Sequence, residues 1–413
     1  MDKGILKFGV IGTGGRGLSF MDIISKGKNT VVSALYDPNP LRMKAAATKI
    51  EGNQKFYGNV EDMLDSEKLD AVIITSPDYA HEANAIAALK KDIFVFIDKP
   101  LTTTAKACIN IMEAAKKSKA TVMMGFNLRH DPTLMKVKQI ISNGQLGRIF
   151  MIENREFYDG GKTYLARWNG KLKYSGGLWV HKGTHDFDIF NWLNQNGKPI
   201  RVSAFAEISA LRKEEIPFKT KQNKSVGPTC SECYYKDICP DCTLHDMELW
   251  GMEVQKVDGY AKDLCIYSSD TEMDVYDNGI AIVEYDNGLR ASHLECFVTS
   301  FTDRMYTVVG TRGQLSASLH ERKIEIRPRW SQDVETIEID KVGGGHGGAD
   351  TGIFGQFVKV IKGEEKPSSS LVDGTFSVAI GEACEHSWRE HRMVEISEVL
   401  DVNNPLLHRQ QGT

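Results

Sequence analysis

Residues 5–37, ILKFGVIGTGGRGLSFMDIISKGKNTVVSALYD, settle the class of the fold. The apolar run Ile5–Ile11 suits a parallel strand buried on both faces. Gly12-Thr13-Gly14-Gly15-Arg16-Gly17 fits G-x-G-x-x-G, and a helix is predicted from Gly17 to Lys26. A second apolar strand, Thr30–Tyr36, ends at Asp37, twenty residues after Gly17. A glycine triplet alone says little. Between a strand and a helix, with an acid closing the next strand, it reads as a dinucleotide-binding unit. Gly12, Gly14 and Gly17 would let the backbone approach a pyrophosphate that the helix N-terminus stabilises, with Arg16 alongside. Asp37 would accept hydrogen bonds from the ribose hydroxyls and repel a 2′-phosphate, so NAD is expected rather than NADP. The bland alternative is a loop of the same shape that binds nothing.

The alternation continues to residue 127. Strands are predicted at Ala71–Thr75, Ile93–Ile97 and Thr121–Gly125, and helices at Glu82–Lys90 and Thr104–Lys117. Each of these strands runs out into polar residues: Ser76-Pro77-Asp78-Tyr79-Ala80-His81, Asp98-Lys99-Pro100, and Phe126-Asn127-Leu128-Arg129. Open α/β sheets bind ligands beyond the carboxyl ends of their strands. Lys99 stands at such an end. A lysine fixed beside a proline there could hold a substrate hydroxyl or assist its proton transfer; elsewhere D-K-P is an ordinary surface turn.

The stretch Ser175–Asp188, SGGLWVHKGTHDFD, carries the other half of the chemistry. If Leu178–Asn194 is one helix, His181, His185 and Asp188 share a face, because residues three and four apart are neighbours. A polar stripe ringed by Phe187, Phe190, Trp192 and Leu193 fits the floor of a cleft better than a core helix. His181-x3-His185 also has helical metal spacing, but the glutamate of the zinc-protease motif is missing, leaving Glu156 or His346 to complete a set. Just upstream, Tyr164 and Trp168 could stack on a sugar face and Arg167 could bind a carboxylate or ring oxygens; packing explains the aromatics equally well. His346, in the glycine-rich run Gly343–Gly348, is a further substrate candidate.

The rest is strand-rich. Pro132–Ser142 reads as a helix, Arg148–Phe157 and Lys198–Ser209 as strands. Asp274–Tyr276, Gly279–Tyr285, Leu289–Phe297, Arg304–Gly310, Gly313–Leu319 and Lys323–Pro328 come next as a mostly antiparallel set. Asp277-Asn278-Gly279 and Asp286-Asn287-Gly288 are hairpin signals. Gly352–Lys362 and Asp373–Arg392 are predicted closing helices. Between about residues 213 and 265 the pattern breaks into a charged insertion containing Cys230-x2-Cys233-x5-Cys239-x2-Cys242, with Cys265 beyond. Paired C-x-x-C units are common zinc spacing. The second pair comes so soon after the first that Cys265 is an alternative to Cys242 as fourth ligand of a structural zinc; disulfides and free thiols are the competing readings.

At 413 residues the chain has room for two or three domains. A net charge of −4 gives no electrostatic reason to expect nucleic acid or an anionic membrane as partner. No run of about 18 apolar residues suggests a membrane span. The start has neither a basic nor an apolar leader region, so a cytoplasmic location is expected.

The combination of G-x-G-x-x-G, TSPDYAH, DKP and then GG-x(5)-G-x-H-x-x-D resembles the glucose–fructose oxidoreductase, inositol dehydrogenase and rhizopine-catabolism family (Gfo/Idh/MocA), from Lys7 to about Ser397. The resemblance implies an α/β Rossmann NAD-binding domain over residues 1–127. It implies an α+β domain over 128–413, built on a large, mostly antiparallel open sheet through which subunits pair as dimers or tetramers. It further implies reversible hydride transfer between NAD(P) and a hydroxyl-bearing carbon of a sugar, glycoside or cyclitol. By the same resemblance Ser76, Pro77 and His81 would line the cofactor edge, with Asp98 and Asn127 beside them. Lys99 would correspond to the lysine of the family's E-K-P, with Asp98 in place of the glutamate, His185 to its catalytic histidine and Asp188 to the acid beyond it. The family usually has aspartate four residues before that histidine, where this chain has His181. Some relatives are NAD-dependent hydrolases or lyases working by transient oxidation and elimination, and His181 keeps that alternative open.

Overall fold

The computed structural model describes residues 4–194, 196–244, 257–258, 263–268, 274–341, 343 and 348–408. Strands β1 (Leu6–Ile11), β2 (Thr30–Tyr36), β3 (Lys55–Tyr57), β4 (Ala71–Ile74), β5 (Phe94–Asp98) and β6 (Val122–Gly125) form a parallel sheet in the order β3-β2-β1-β4-β5-β6. Every residue of β4 and β6 is buried, as apolar runs covered on both faces must be. β1 pairs with β2 on one side and β4 on the other, so the winding reverses there. Crevices at such a reversal lie beyond the strand carboxyl ends. Gly12, Asp37, Thr75 and Lys99 each stand directly after a strand at that edge. Two short helices lie beyond the expected set, Pro40–Ala47 and Val60–Ser66. The Asn39 and Asn59 side chains cap them, accepting from the Leu41 and Asp62 amides.

The second sheet has nine strands: β7 (Ile149–Asp159), β8 (Pro199–Glu207), β9 (Asn278–Tyr285), β10 (Arg290–Cys296), β11 (Val298–Gly310), β12 (Gly313–Ser318), β13 (Lys323–Pro328), β14 (Glu335–Glu338) and β15 (Val394–Glu395). Their order is β14-β13-β12-β11-β7-β10-β9-β8-β15, and only the β7–β10 pair is parallel. Strand alternation sorts the faces. On β9, Gly279, Ala281, Val283 and Tyr285 are buried whereas Ile280 and Ile282 are exposed. The inner face packs under the helices Thr184–Leu193 and Leu371–Glu390. The helix Ala349–Lys362 returns to the first sheet, where Phe354 meets Phe8 and Phe357 meets Phe96 with ring centroids 5.4 and 5.5 Å apart.

One predicted strand is not a strand. Val275 and Tyr276 in Asp274–Tyr276 are core plugs, the Tyr276 ring lying 4.8 Å from Trp179. The chain turns beside them because the Asp277 carboxylate accepts the amides of Ser209, Ala210 and Leu211 at 2.9, 2.8 and 2.8 Å. The second expected hairpin does form, with Gly288 at φ +80° between β9 and β10.

Candidate functional site

A cavity of about 710 Å³ opens between the carboxyl ends of the first sheet and the segment Thr163–His185. At one end lies the glycine loop. A Cβ on Gly12, whose φ is +91°, would stand 2.5 Å from the Ser76 nitrogen, and one on Gly17 would stand 2.2 Å from the Gly12 carbonyl oxygen. Only glycine fits where β1 turns so tightly into the helix Gly15–Lys26. A Cβ on Gly14 or Gly15 would meet nothing within 4 Å, so the backbone faces open space at the helix N-terminus. That is the room and polarity a pyrophosphate requires. Asp37 Oδ2 accepts from Thr13 N and Oγ1 at 2.8 and 3.1 Å, and its Oδ1 accepts from Asn39 N at 2.9 Å. Two carboxylate oxygens offer about four lone-pair sites, which leaves capacity for a ribose hydroxyl. Asn127 gives its amide to Asp350 Oδ1 at 2.9 Å, while its own Oδ1 is buried with no partner among the described residues. Leaving such an acceptor unmet costs about 1–3 kcal/mol, and a carboxamide N–H would satisfy it. A nicotinamide dinucleotide therefore fits the residues present.

Charge brackets the two ends. Arg16 Nε reaches Asp98 at 2.9 Å and its Nη1 reaches Asp350 at 2.9 Å, tying the glycine loop to β5 and to the helix Ala349–Lys362. Near Asp37, Asp258 of the insertion accepts from Arg42 Nε at 2.8 Å and Nη2 at 2.6 Å, and from Asn39 Nδ2 at 2.7 Å. Asp258 thus occupies the Arg42 guanidinium on the same cavity wall as Asp37.

The opposite end holds the reactive groups. Lys99 Nζ donates to the His181 carbonyl oxygen at 2.7 Å. Enclosure away from bulk water, and then the cation of Lys182, pull the Lys99 pKa down to about 8. His181 Nδ1 lies 2.6 Å from Asp78 Oδ2, and its Nε2 lies 2.9 Å from Asn169 Nδ2. With a carboxylate on Nδ1 and an amide N–H on Nε2, the ring is a neutral imidazole carrying its proton on Nδ1. Burial lowers the His181 pKa in the same sense, opposed in part by Asp78. Edges of Tyr164 and Trp168 pack on the ring at 5.4 and 5.3 Å. Lys182 Nζ sits 3.0 Å from Glu156 Oε1 and 4.1 Å from the Tyr158 ring centroid. Burial works against its charge, but Glu156 more than offsets this, so its pKa is raised and it stays protonated. Of the two lysines on the cavity wall, Lys99 is the one able to exchange a proton near neutrality.

Residues 6–126 match the model of an oxidoreductase family with an NAD-binding Rossmann fold, and residues 138–396 match that family's C-terminal alpha/beta domain. The chain belongs to the Gfo/Idh/MocA oxidoreductases. YteT of Bacillus subtilis, which bears the name of an oxidoreductase, is 27% identical over 411 residues, spanning 90% of this chain and 93% of that protein. Inositol 2-dehydrogenase of Salmonella typhimurium is 32% identical over 203 residues, which is 48% of this chain and only 57% of that enzyme. Levoglucosan dehydrogenase in complex with NADH superposes with a TM-score of 0.73 at 18% identity, over 95% of this chain and 99% of that one. The WlbA dehydrogenase of Chromobacterium violaceum, in complex with NADH and UDP-GlcNAcA, gives 0.69 at 19% identity over 96% and 97%. At those identities the likeness is one of fold. No helix among the described residues is long and apolar enough to cross a membrane.

In this Gfo/Idh/MocA chain the histidine segment is not one helix. It divides into Leu178–His181 and Thr184–Leu193, because Gly183 N bonds back five residues to Leu178 O at 3.0 Å. The extra residue rotates the second helix by about 100° relative to a regular continuation of the first. His181 and His185 still line the cavity, whereas Asp188 does not. Asp188 is fully buried and clamped by Arg129, Nε to Oδ2 at 2.8 Å and Nη2 to Oδ1 at 2.5 Å. Stripping one partner from such a buried pair costs about 3–5 kcal/mol, so Asp188 supports the fold rather than a substrate. The metal reading of the histidine pair also fails on geometry: both ring nitrogens of His181 are engaged, and Glu156 is paired with Lys182 and Arg304. His346 lies outside the described residues.

The other expected residues do converge. Gly12, Gly14, Arg16, Asp37, Ser76, Pro77, His81, Asp98, Lys99, Asn127, Tyr164, Arg167 and Trp168 all line the cavity, with Gly17 just beneath. His81 contributes only a wall, since its ring nitrogens are spent on the Pro100 and Ser76 carbonyl oxygens at 2.8 Å each. Four participants escaped the sequence reading: Asp78, Asn169, Lys182 and Asp258. Asp78 and Lys182 lie inside motifs already singled out, and their charge next to a proposed acid–base pair was the available signal. Nothing local marks Asp258.

Proposed function

We propose that this chain is an NAD-dependent dehydrogenase that oxidises, reversibly, a hydroxyl-bearing carbon of a sugar, glycoside or cyclitol. The observation that carries the reading is the sharing of one cavity by the glycine loop, Lys99 and His185. NAD bound along the loop supplies the hydride acceptor. Lys99 and His185 hold the reacting hydroxyl, and the neutral Lys99 amine takes its proton. Lys182, fixed in its charged state, adds positive potential where alkoxide character develops. Arg167 and Trp168 form the wall met by the remainder of the substrate. Oxidation without net elimination is favoured because Asp78 returns, through His181, the negative charge whose absence kept the eliminating chemistry open. The test is incubation with NAD⁺ and a panel of sugars, glycosides and cyclitols, recording net NADH and aglycone release. Stoichiometric NADH supports the reading; aglycone release with no net NADH sinks it.

NAD rather than NADP is the choice expected from Asp37 backed by Asp258. Asp258→Ala releases Arg42 for a 2′-phosphate, and the NADP:NAD affinity ratio is expected to rise by about tenfold, or 1.4 kcal/mol. A ratio that does not move in binding titrations would remove Asp258 from cofactor selection.

The second sheet supports self-association as a homodimer or homotetramer. Phe205 is 74% exposed directly opposite Ile280, with Ile282, Val298 and Phe301 also exposed. Exposed large apolar side chains gathered on one sheet mark a contact surface. Light scattering of the wild type should report a dimer or larger, and Phe205→Glu should lower the mass. A monomeric wild type at micromolar concentration contradicts this.

A further inference from the structure

We propose that Cys230, Cys233, Cys239 and Cys265 form a tetrathiolate zinc site that fastens the insertion to the second domain. Five of the chain's eight cysteines gather here from two separate segments, and none is in a disulfide. Residues 228–230 run antiparallel to 263–265: Cys230 N donates to Asp263 O at 2.7 Å, Cys265 N donates to Pro228 O at 2.8 Å, and Thr229 bridges Leu264. Tyr267 Oη donates to Asp241 Oδ2 at 2.6 Å, which joins the same segment to the second C-x-x-C turn. Cys265 is thereby brought within electrostatic reach of Cys230, Cys233 and Cys239.

The choice of four sulfurs rests on the backbone. Tyr235 N donates to Cys233 Sγ at 3.4 Å. The amides of Asp241 and Tyr267 donate in the same way to Cys239 and Cys265, each from two residues downstream. Cys230 receives the Thr243 amide and, at 3.6 Å, the Thr243 hydroxyl, and the Cys242 thiol is its other hydrogen-bond partner. A neutral thiol is a weak acceptor, so four N–H groups aimed at sulfur suit thiolates, where the bonds become charge-assisted. Such outer contacts orient metal ligands. A set of four thiolates in a tetrahedron selects zinc among the common divalent ions. On binding, the four thiols release their protons to solvent and the site carries a net charge of −2. Zinc–sulfur bonds of about 2.3 Å place sulfurs roughly 3.8 Å apart. Among the described residues no three cysteine sulfurs lie within 4.8 Å of one another, so loading draws the turns inward.

The placement gives the ion something to hold. Leu264 N donates to Ala166 O at 3.2 Å, beside Arg167 and Trp168 on the cavity wall. The same insertion delivers Asp258 to Arg42 at the cofactor end. Between Arg212 and Asp274 the described residues contain little regular structure, mostly turns with a 3-10 helix (Lys213–Glu215) and an isolated β-bridge. A segment with so small a core gains most from a metal staple.

The test uses the full chain purified under reducing conditions. Elemental analysis is expected to find one zinc per chain, without iron or acid-labile sulfide, and cobalt substitution should produce sulfur-to-cobalt charge-transfer bands and tetrahedral d–d bands. Thiol alkylation mapped by mass spectrometry should spare Cys230, Cys233, Cys239 and Cys265 until a chelator is added. Cys242→Ser should keep the zinc and Cys265→Ser should lose it. Absence of metal, an iron–sulfur cluster, or loss of zinc from Cys242→Ser but not from Cys265→Ser overturns the proposal. The alkylation map reads the wild type, so it decides even if Cys265→Ser does not fold.

Discussion

Lys99→Ala is expected to lower kcat/KM for substrate oxidation by about 10²–10⁴-fold, the usual contribution of a positioned acid–base group. NAD⁺ affinity, read by fluorescence titration, should be nearly unaffected, because the loop and Asp37 that hold the dinucleotide do not depend on the amine. The pH dependence carries the sign. A pKa drawn down to about 8 by enclosure and by Lys182 leaves Lys99 protonated below that pH and neutral above it. Only the neutral amine accepts the hydroxyl proton, so oxidation should rise with pH and level off past about 8. Ketone reduction needs the ammonium and should fall through the same range. Both limbs should vanish in Lys99→Ala, and Lys99→Arg should be equally inactive because guanidinium does not lose its proton. Turnover unchanged in Lys99→Ala would remove it from the mechanism.

Asp78→Asn is the second large effect. The carboxylate holds His181 in one tautomer at 2.6 Å and opposes the forces that lower the Lys99 pKa. A hydrogen bond to a charged group contributes about 1.5–3 kcal/mol, so kcat should fall roughly ten- to a hundredfold. The rising limb should move to lower pH, because Lys99 loses a neighbour that favoured its ammonium. A merely structural role for Asp78 would lower the melting temperature and leave that limb where it was. The rescue is specific: His181→Asp in the Asp78→Asn background puts a carboxylate where related chains usually have one. It should recover part of the rate; no recovery would mean that the charge is not what Asp78 provides.

Much of the nucleotide side was legible in the sequence because its determinants are local. Gly12 must be glycine since a Cβ would strike Ser76, and the acid closing β2 lies a fixed distance along the chain. Lys99 was legible from its place just after β5, where the fold puts ligands. The helix Leu178–Asn194 was misread for a physical reason: apolar periodicity does not reveal that Gly183 takes a five-residue hydrogen bond, and that one step sends Asp188 to Arg129 instead of to the cavity. Val275 and Tyr276 were misread as strand because a β-type residue pattern cannot distinguish a ladder from a core plug held by Trp179.

The local pattern by itself determined the parallel sheet, the glycine loop, the placement of Lys99 and the richness of the second half in strands. All of these arise from spacing within a few dozen residues. Tertiary structure alone decided which charges meet. Asp78 reaches His181 across 103 residues, Asp258 reaches Arg42 across 216, and Arg16 reaches Asp350 across 334. Electrostatic energy depends on distance in space and on exclusion of water, and neither is written into the order of residues along the chain.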